Sequence, residues 1–522
     1  MTIDEAKASL INYKDKEWRF MQRECCEFII NSDKKFIIIE AGTGSGKSLT
    51  AMATGMANNS LTYAVHSKVL QQQIVSDFPE AKLLQGRNNY KCLADDTLSC
   101  DECKHTKNNP CFHKRSSCLY DVAKQTVLAS KLKILNYDYL LSAISYTGQF
   151  SGADLYIIDE ADNLENSLIQ FTTLTFTPFA LRRLGLTEPE RKTATSKQGI
   201  QPWVDFAQIA RDRVHRIIDS LTHEIEAYGS KEDVTDQQIA KLKERKRVIR
   251  LSERIDIFLN KVDSSWIYEE NDGKITFRPL WVTPDLADDY LWSHGNKWAL
   301  MSASFLPIDM QCRVLGIPFD EVDYMRVPST FDAKRRPIYV NPVANMTAKT
   351  AQEETPKLCK EIANILNKHP ESKGIIHTAS YKLAKDIIEI VNDKRLIVHN
   401  SQDRQMVIDM FKESDKPLVL VSPSLERGIS LPDDECEFII CAKSLFLSLG
   451  DKIVSQRVYS SGIGNYWYKS IAAQALIQAT GRGMRHEKDH CFIYLLDYQI
   501  KKLIEENPRL FPEYWLDAIV FS

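Results

Sequence analysis

The chain has 522 residues, 43% of them hydrophobic and 26% charged. That is an ordinary soluble composition, at a length that needs more than one hydrophobic core. A net charge of −3 speaks against a uniformly basic nucleic-acid binder. No run approaches the roughly 18 consecutive apolar residues of a membrane span. The opening MTIDEAKASLINYKDKEW is polar and mixed in charge, unlike a secretory leader, so a cytoplasmic, membrane-free location is expected.

In chain order, FIIIE (Phe36–Glu40) reads as a buried strand ending in a glycine-rich turn and followed by a helix-compatible run. LTYAV (Leu61–Val65) and LYIID (Leu155–Asp159) are two further strands. Between them lies an irregular, cysteine-rich stretch, whose part from Lys104 to Lys133 carries Lys104, Lys107, Lys114, Arg115, Lys124, Lys131 and Lys133 against the single acid Asp121. From Asn163 to about Asp285 the pattern is mainly helical, with few strand signals. Leu251, Ile255, Phe258 and Val262 fall at helical spacing there, which implies packing. A second basic run, KLKERKRVIR (Lys241–Arg250), reads either as a solvated helix face or as a binding patch. Strands resume at WALMSAS (Trp298–Ser304). A second alternating unit from about Arg336 contributes Gly374–Thr378, Leu396–His399, Pro417–Ser422, Glu437–Ala442 and Cys491–Leu496. The expected fold is α/β, with two RecA-like lobes built on parallel sheets and with insertions in the first lobe.

AGTGSGKS (Ala41–Ser48), after a strand and before a helix, is the context of a phosphate-binding loop. Its glycines let successive N–H groups and the helix N-terminus point at phosphate. Thr43, Gly44, Ser45 and Gly46 would wrap an ATP tail, Lys47 would reach its β and γ phosphates, and Ser48 would bind Mg²⁺. Asp159 ends a strand in LYIIDEAD, placed to hold the same Mg²⁺, and Glu160 follows as the base that polarises water. In QATGRGMR, Gln478 joins Arg482 and Arg485, two arginines three apart that could reach the γ-phosphate. MSASF (Met301–Phe305) resembles a coupling segment of superfamily 2 motors. Arg19 and Gln22, in WRFMQ, stand where that superfamily reads adenine.

Twelve cysteines in a cytosolic chain do not suggest a disulfide framework. Seven, among them Cys25, Cys26, Cys359 and Cys491, sit in apolar contexts and read as core fillers. The other five (Cys92, Cys100, Cys103, Cys111 and Cys118) share one short stretch. A zinc ribbon, an iron–sulfur cluster and a redox dithiol compete for them. Only Cys100 and Cys103 form a CxxC pair, whereas zinc ribbons show two close pairs. Four thiolates from an irregular loop suit a [4Fe–4S] cluster.

GRNNYKC (Gly86–Cys92), CLYDVAK (Cys118–Lys124) and NYDYLL (Asn136–Leu141) together resemble the XPD/DinG group of superfamily 2 DNA helicases. The resemblance implies Cys92 and Cys118 as cluster ligands, with Cys111 a third and Cys103, or alternatively Cys100, the fourth. It implies a motor lobe in pieces (1–86, 121–165 and 286–335), an iron–sulfur domain at 87–120, a helical Arch-like domain at 166–285 and a second motor lobe at 336–522. It also implies 5′→3′ movement on single-stranded or forked DNA by a monomer, driven by ATP and Mg²⁺. SLERGISLPDD (Ser424–Asp434) departs from the family pattern, with Arg427 where an acid is usual and Ser430 where an aspartate is usual. Those departures keep open an ATP-gated DNA-binding protein with little unwinding. The core motifs do not distinguish the sugar, which also leaves an RNA-directed motor.

Overall fold

The computed structural model describes residues 1–42, 44–93, 96–102, 117–194, 199–227, 235–329, 332–400, 402–423, 436–460, 462–481 and 489–521. FIIIE, LTYAV and LYIID are buried at every position, as strands covered on both faces must be. They become β1 (Phe36–Glu40), β2 (Leu61–Val65) and β5 (Leu155–Asp159), with β3 (Lys82–Leu83) and β4 (Leu132–Asn136) between them. After β5 the chain leaves the sheet for β6 (Leu174–Phe176), β7 (Trp266–Asn271) and β8 (Lys274–Pro279). It returns as β9 (Trp298–Ser302) and β10 (Val322–Arg326). The first sheet runs β10-β1-β9-β5-β2-β4-β3, with every pairing parallel.

The excursion contains two long packed helices, Gln201–Glu226 and Asp236–Lys261. Ile255 and Phe258 are buried, with Leu251 and Val262 packed beside them, so the helical spacing marks a core face. The expectation of a mainly helical segment needs one correction. Strands β6, β8 and β7 form an antiparallel sheet at its base. β7 and β8 are joined through Asp272 and Gly273, both at positive φ (52° and 70°), the geometry of a tight hairpin turn.

The second unit contributes β11 (Ile338–Ala344), β12 (Gly374–His377), β13 (Leu396–Val398), β14 (Val419–Ser422), β15 (Phe438–Cys441), β16 (Phe492–Asp497) and β17 (Ile519–Phe521). Their order is β13-β14-β12-β15-β16-β11-β17, again parallel throughout. Cys25, Cys26, Cys312, Cys359, Cys436, Cys441 and Cys491 are all buried, in keeping with core packing. Among the described residues no helix is long and apolar enough to cross a membrane.

The sheet order matters for the site. β1 and β5 lie on either side of β9, so the loops that follow all three strands meet at one edge of the sheet. Glu40 sits opposite Ser302, and Asp159 opposite Met301. In parallel sheets that C-terminal edge is where ligands bind.

Candidate functional site

The loop after β1 is drawn tight by its own neighbours. The backbone N–H of Ala41 donates to the Ser302 carbonyl at 2.9 Å. Lys47 Nζ donates to the carbonyls of Ala41 (2.9 Å) and Gly42 (3.3 Å). Burial pushes the Lys47 ammonium down, although Asp159, Glu160 and Asp162 pull it back up. The geometry fits a cation waiting for an anionic partner. Gly46, at φ 79°, caps the helix Lys47–Ala57, and a Cβ there would lie 1.9 Å from Gln22 Nε2. The left-handed backbone there favours glycine. Ser45 Oγ is buried with no hydrogen-bond partner, as a donor reserved for a ligand would be.

Arg19 and Gln22 lie against the same loop. Arg19 donates to the Gly44 carbonyl at 2.6 Å, and Gln22 Nε2 to the Gly46 carbonyl at 3.2 Å. The Arg19 backbone N–H donates to Gln22 Oε1 at 2.7 Å, tying the two together. Thr43 lies outside the described residues.

Asp159 is nearly buried (7% exposed) at the end of β5. Its Oδ2 accepts from the Tyr63 hydroxyl, its Oδ1 from the Glu160 backbone at 3.0 Å, and its carbonyl from the Tyr137 hydroxyl. Glu160 follows in the left-handed region, φ 56°. That conformation is costly for a side chain with a Cβ and is found where a turn must aim a functional group. Ser48 follows Lys47 at the start of the helix Lys47–Ala57, directly after the phosphate loop. An alcohol and a carboxylate beside a phosphate loop are the oxygen donors that Mg²⁺ selects. Ser48 and Asp159 therefore fit the ion that ATP brings.

The second lobe enters through the helix Gly464–Thr480. Gln478 Nε2 donates to Asp162 Oδ2 at 3.1 Å and is 3.0 Å from Ser304 Oγ. One turn earlier, Gln474 Nε2 donates to the Ser304 carbonyl at 3.1 Å. Ser302 Oγ donates to Asp162 Oδ1 at 2.7 Å. Asp162 thus accepts from both lobes. The sequence reading named Gln478 and the segment holding Ser302 and Ser304, but gave no role to Asp162 or Gln474. The i, i+4 spacing of Gln474 and Gln478 was the available signal. Arg482 and Arg485 lie outside the described residues, as do Arg427 and Ser430.

Of the clustered cysteines, Cys103 and Cys111 lie outside the described residues. The structure brings Cys100 and Cys118 together, while Cys92 packs beside Leu98, Ile225 and Leu242. Cys100 is 3% exposed, and its Sγ is 3.9 Å from that of Cys118. Burial, with added repulsion from Cys118 and Cys92, pushes the Cys100 thiol up to about 11. Among the described residues no group of three or more His, Cys, Asp or Glu is arranged to hold a metal ion. In kind, however, the donors are all thiols, the set that suits a soft metal centre. Cys100, the alternative to Cys103, is the one seen against Cys118.

The basic residues have more ordinary duties. Lys131 donates to the Met56 carbonyl at 2.6 Å, and Lys133 is partly buried. In the second run, Lys241 pairs with Glu224, Lys243 with Glu102 (3.3 Å) and Lys246 with Asp101. Lys104, Lys107, Lys114 and Arg115 lie outside the described residues.

Two parallel-sheet lobes thus carry a phosphate loop at the C-terminal edge of the first and a glutamine-bearing helix of the second that reaches into it. Residues 362–517 match the helicase C-terminal domain family. The structure of S. tokodaii Xpd4 aligns over 96% of this chain and 99% of its own, with a TM-score of 0.61 and 14% identity. An XPD helicase structure gives 0.59 at 15% identity (96% and 98% covered), and an XPD apo structure 0.58 at 15% (96% and 100%). No curated protein sequence matches the chain. In fold the chain is XPD-like from end to end, and its second lobe carries a helicase C-terminal domain.

Proposed function

We propose that the chain is an ATP-dependent DNA helicase that moves 5′→3′ on single-stranded DNA and couples hydrolysis to duplex unwinding. The observation that carries this reading is the contact of Gln478 with Asp162 and Ser304, which ties the second lobe to the acidic end of β5. A nucleotide lying between such lobes makes their closure depend on its γ-phosphate, and closure alternating with opening is what moves a motor.

In this reading Lys47 balances charge on the β and γ phosphates, and Ser45 and the loop amides hold them. Glu160 takes the proton of the attacking water. Arg482 and Arg485 meet charge developing on the γ-phosphate. Arg19, Gln22 and Thr43 line the rest of the nucleotide site. Mg²⁺, held by Ser48 and Asp159, would offset phosphate charge.

A [4Fe–4S] cluster would hold the segment around residues 87–120 rigid on thiolates of Cys92, Cys111, Cys118 and either Cys103 or Cys100. The contact between Cys100 and Cys118 supports Cys100. The divisions 1–86, 121–165 and 286–335 (first lobe), 166–285 (Arch-like) and 336–522 (second lobe) complete the scheme. Phosphate contacts would come from Lys114, Arg115 and the segment His66–Gln73. The protein acts as a cytoplasmic monomer.

The test is ATP turnover with and without single-stranded DNA or RNA, with unwinding of forked duplexes of both polarities. DNA-stimulated turnover with 5′→3′ unwinding supports the proposal. Stimulation by RNA alone, or DNA binding without strand separation, overturns it.

A further inference from the structure

We infer that Tyr63 is a positioning residue that holds Asp159 oriented as a ligand for Mg²⁺; the inference rests on the nucleotide-site reading above. Tyr63 is in the middle of β2, paired with Ile157 of β5. Side chains alternate along a strand, so Tyr63 and Ile157 face the same side, and Asp159 faces it again two residues on. The phenol reaches diagonally along that face to the strand end. It donates to Asp159 Oδ2. One oxygen therefore ties the middle of β2 to the acidic end of β5.

Packing alone does not call for a tyrosine. Tyr63 is 0% exposed, among Ile37, Ile39, Met52 and Ile157. Phenylalanine would fill the place without burying a hydroxyl. A buried hydroxyl is favourable only with a partner, and its partner here is the carboxylate of Asp159.

The effect on Asp159 is orientation. With Oδ1 held by the Glu160 N–H, Oδ2 by Tyr63 and the carbonyl by Tyr137, the carboxylate cannot rotate freely. Its remaining lone pairs are left for the metal and its waters. Preset donors need less ordering when the ion arrives.

The test uses the full-length protein and its Tyr63→Phe variant. Binding of a fluorescent ATP analogue is measured in EDTA and across a Mg²⁺ titration. Metal-free affinity should stay within about twofold, while the Mg²⁺ concentration at half-effect rises roughly tenfold, the worth of one hydrogen bond to a charged group. An unchanged Mg²⁺ midpoint overturns the role. So does equal weakening with and without metal, which marks a merely structural residue. As a second measurement, 3-fluorotyrosine is introduced at position 63 of the otherwise unaltered chain. Its ¹⁹F resonance should move when Mg²⁺ joins bound ADP but not with ADP in EDTA, and a resonance indifferent to Mg²⁺ overturns the inference even where Tyr63→Phe fails to fold. If the unaltered protein binds nucleotide with no Mg²⁺ dependence at all, the reading of Ser48 and Asp159 as the metal pair fails first.

Discussion

Gln478 Nε2 donates to Asp162 Oδ2 at 3.1 Å, although 316 residues separate the two in the chain. Asp162 also accepts from Ser302 on the opposite oxygen, so its carboxylate is shared between the strand-end segment of one lobe and a helix of the other. Neither lobe can shift without breaking a hydrogen bond to a charge.

Gln478→Ala should therefore lower ATP turnover by roughly tenfold to a hundredfold, the range of a lost hydrogen bond to a carboxylate, with little change in nucleotide affinity. Asp162→Asn should show a similar loss, and the double variant should be no worse than the poorer single one. Steady-state turnover with a separate binding titration measures both. Additive losses would mean that the two residues act independently.

Lys47→Ala should lose nucleotide binding, because the loop then lacks the ammonium that would meet the β and γ phosphates. Glu160→Gln should retain binding of ATP and DNA and keep only a small fraction of turnover. Equilibrium binding beside single-turnover hydrolysis separates the two effects. Near-normal turnover in Glu160→Gln would remove Glu160 from the role of base.

How much of this was legible beforehand depended on the distance over which each residue acts. β1, β2 and β5 match the sequence reading end to end, because strands buried on both faces are written as unbroken apolar runs. β10 and β17 lie at sheet edges and went unread. The hairpin of β7 and β8 was missed although Asp272-Gly273 is a recognised turn signal, because helical patterns dominate the segment around it. Lys47 and Asp159 were readable from local motifs. The roles of Tyr63 and Asp162 were not, since their partners lie far away in the chain.

A second inter-lobe contact is ionic. Arg457 Nη2 lies 2.7 Å from Glu165 Oε1, with side chains 7% and 10% exposed. Its guanidinium stacks over Trp281 and Trp467, 4.2 and 4.8 Å from the ring centroids. Removing one member leaves a buried charge uncompensated, so Arg457→Met should destabilise by about 3–5 kcal/mol. Replacing both, as Arg457→Met with Glu165→Leu, should recover much of that loss. Chemical denaturation of the three variants reads the difference.

The thiols near the first lobe permit a test by metal content. If the segment holds a [4Fe–4S] cluster, serine at Cys92, Cys100 or Cys118 should each strip iron from anaerobically purified protein, since an alcohol replaces a thiolate poorly. Iron and sulfide analysis, with visible absorbance near the thiolate-to-iron bands, reports the outcome. Cys103→Ser then decides between the two members of the CxxC pair. Equal iron in all the variants would remove the cluster from the account.

The last prediction concerns how that cysteine segment is held. It docks on the long helix pair through Leu98, which is buried with Ile225 and Leu242. Glu102 and Asp101 flank this contact and pair with Lys243 and Lys246 on the helix Asp236–Lys261. The basic run is thus a clamp on an acidic turn. Burial pushes the Glu102 carboxyl up, but hydrogen bonds from Ser99 and Lys243 outweigh it, and the net displacement is downward from the ordinary 4.5. A carboxylate held below its unfolded value stabilises docking above that value and loses its contribution as pH falls through the lowered one. Docking should therefore hold at neutral pH and loosen below roughly pH 4.5. Lys243→Glu with Lys246→Glu should loosen it at pH 7 as well, and more so at low salt, where repulsion between like charges is least screened. Hydrogen exchange in residues 91–102 measures the release, with β1 and β2 as internal controls. Unchanged protection in the charge-reversed protein would mean that Leu98 and its apolar neighbours hold the segment without the ion pairs.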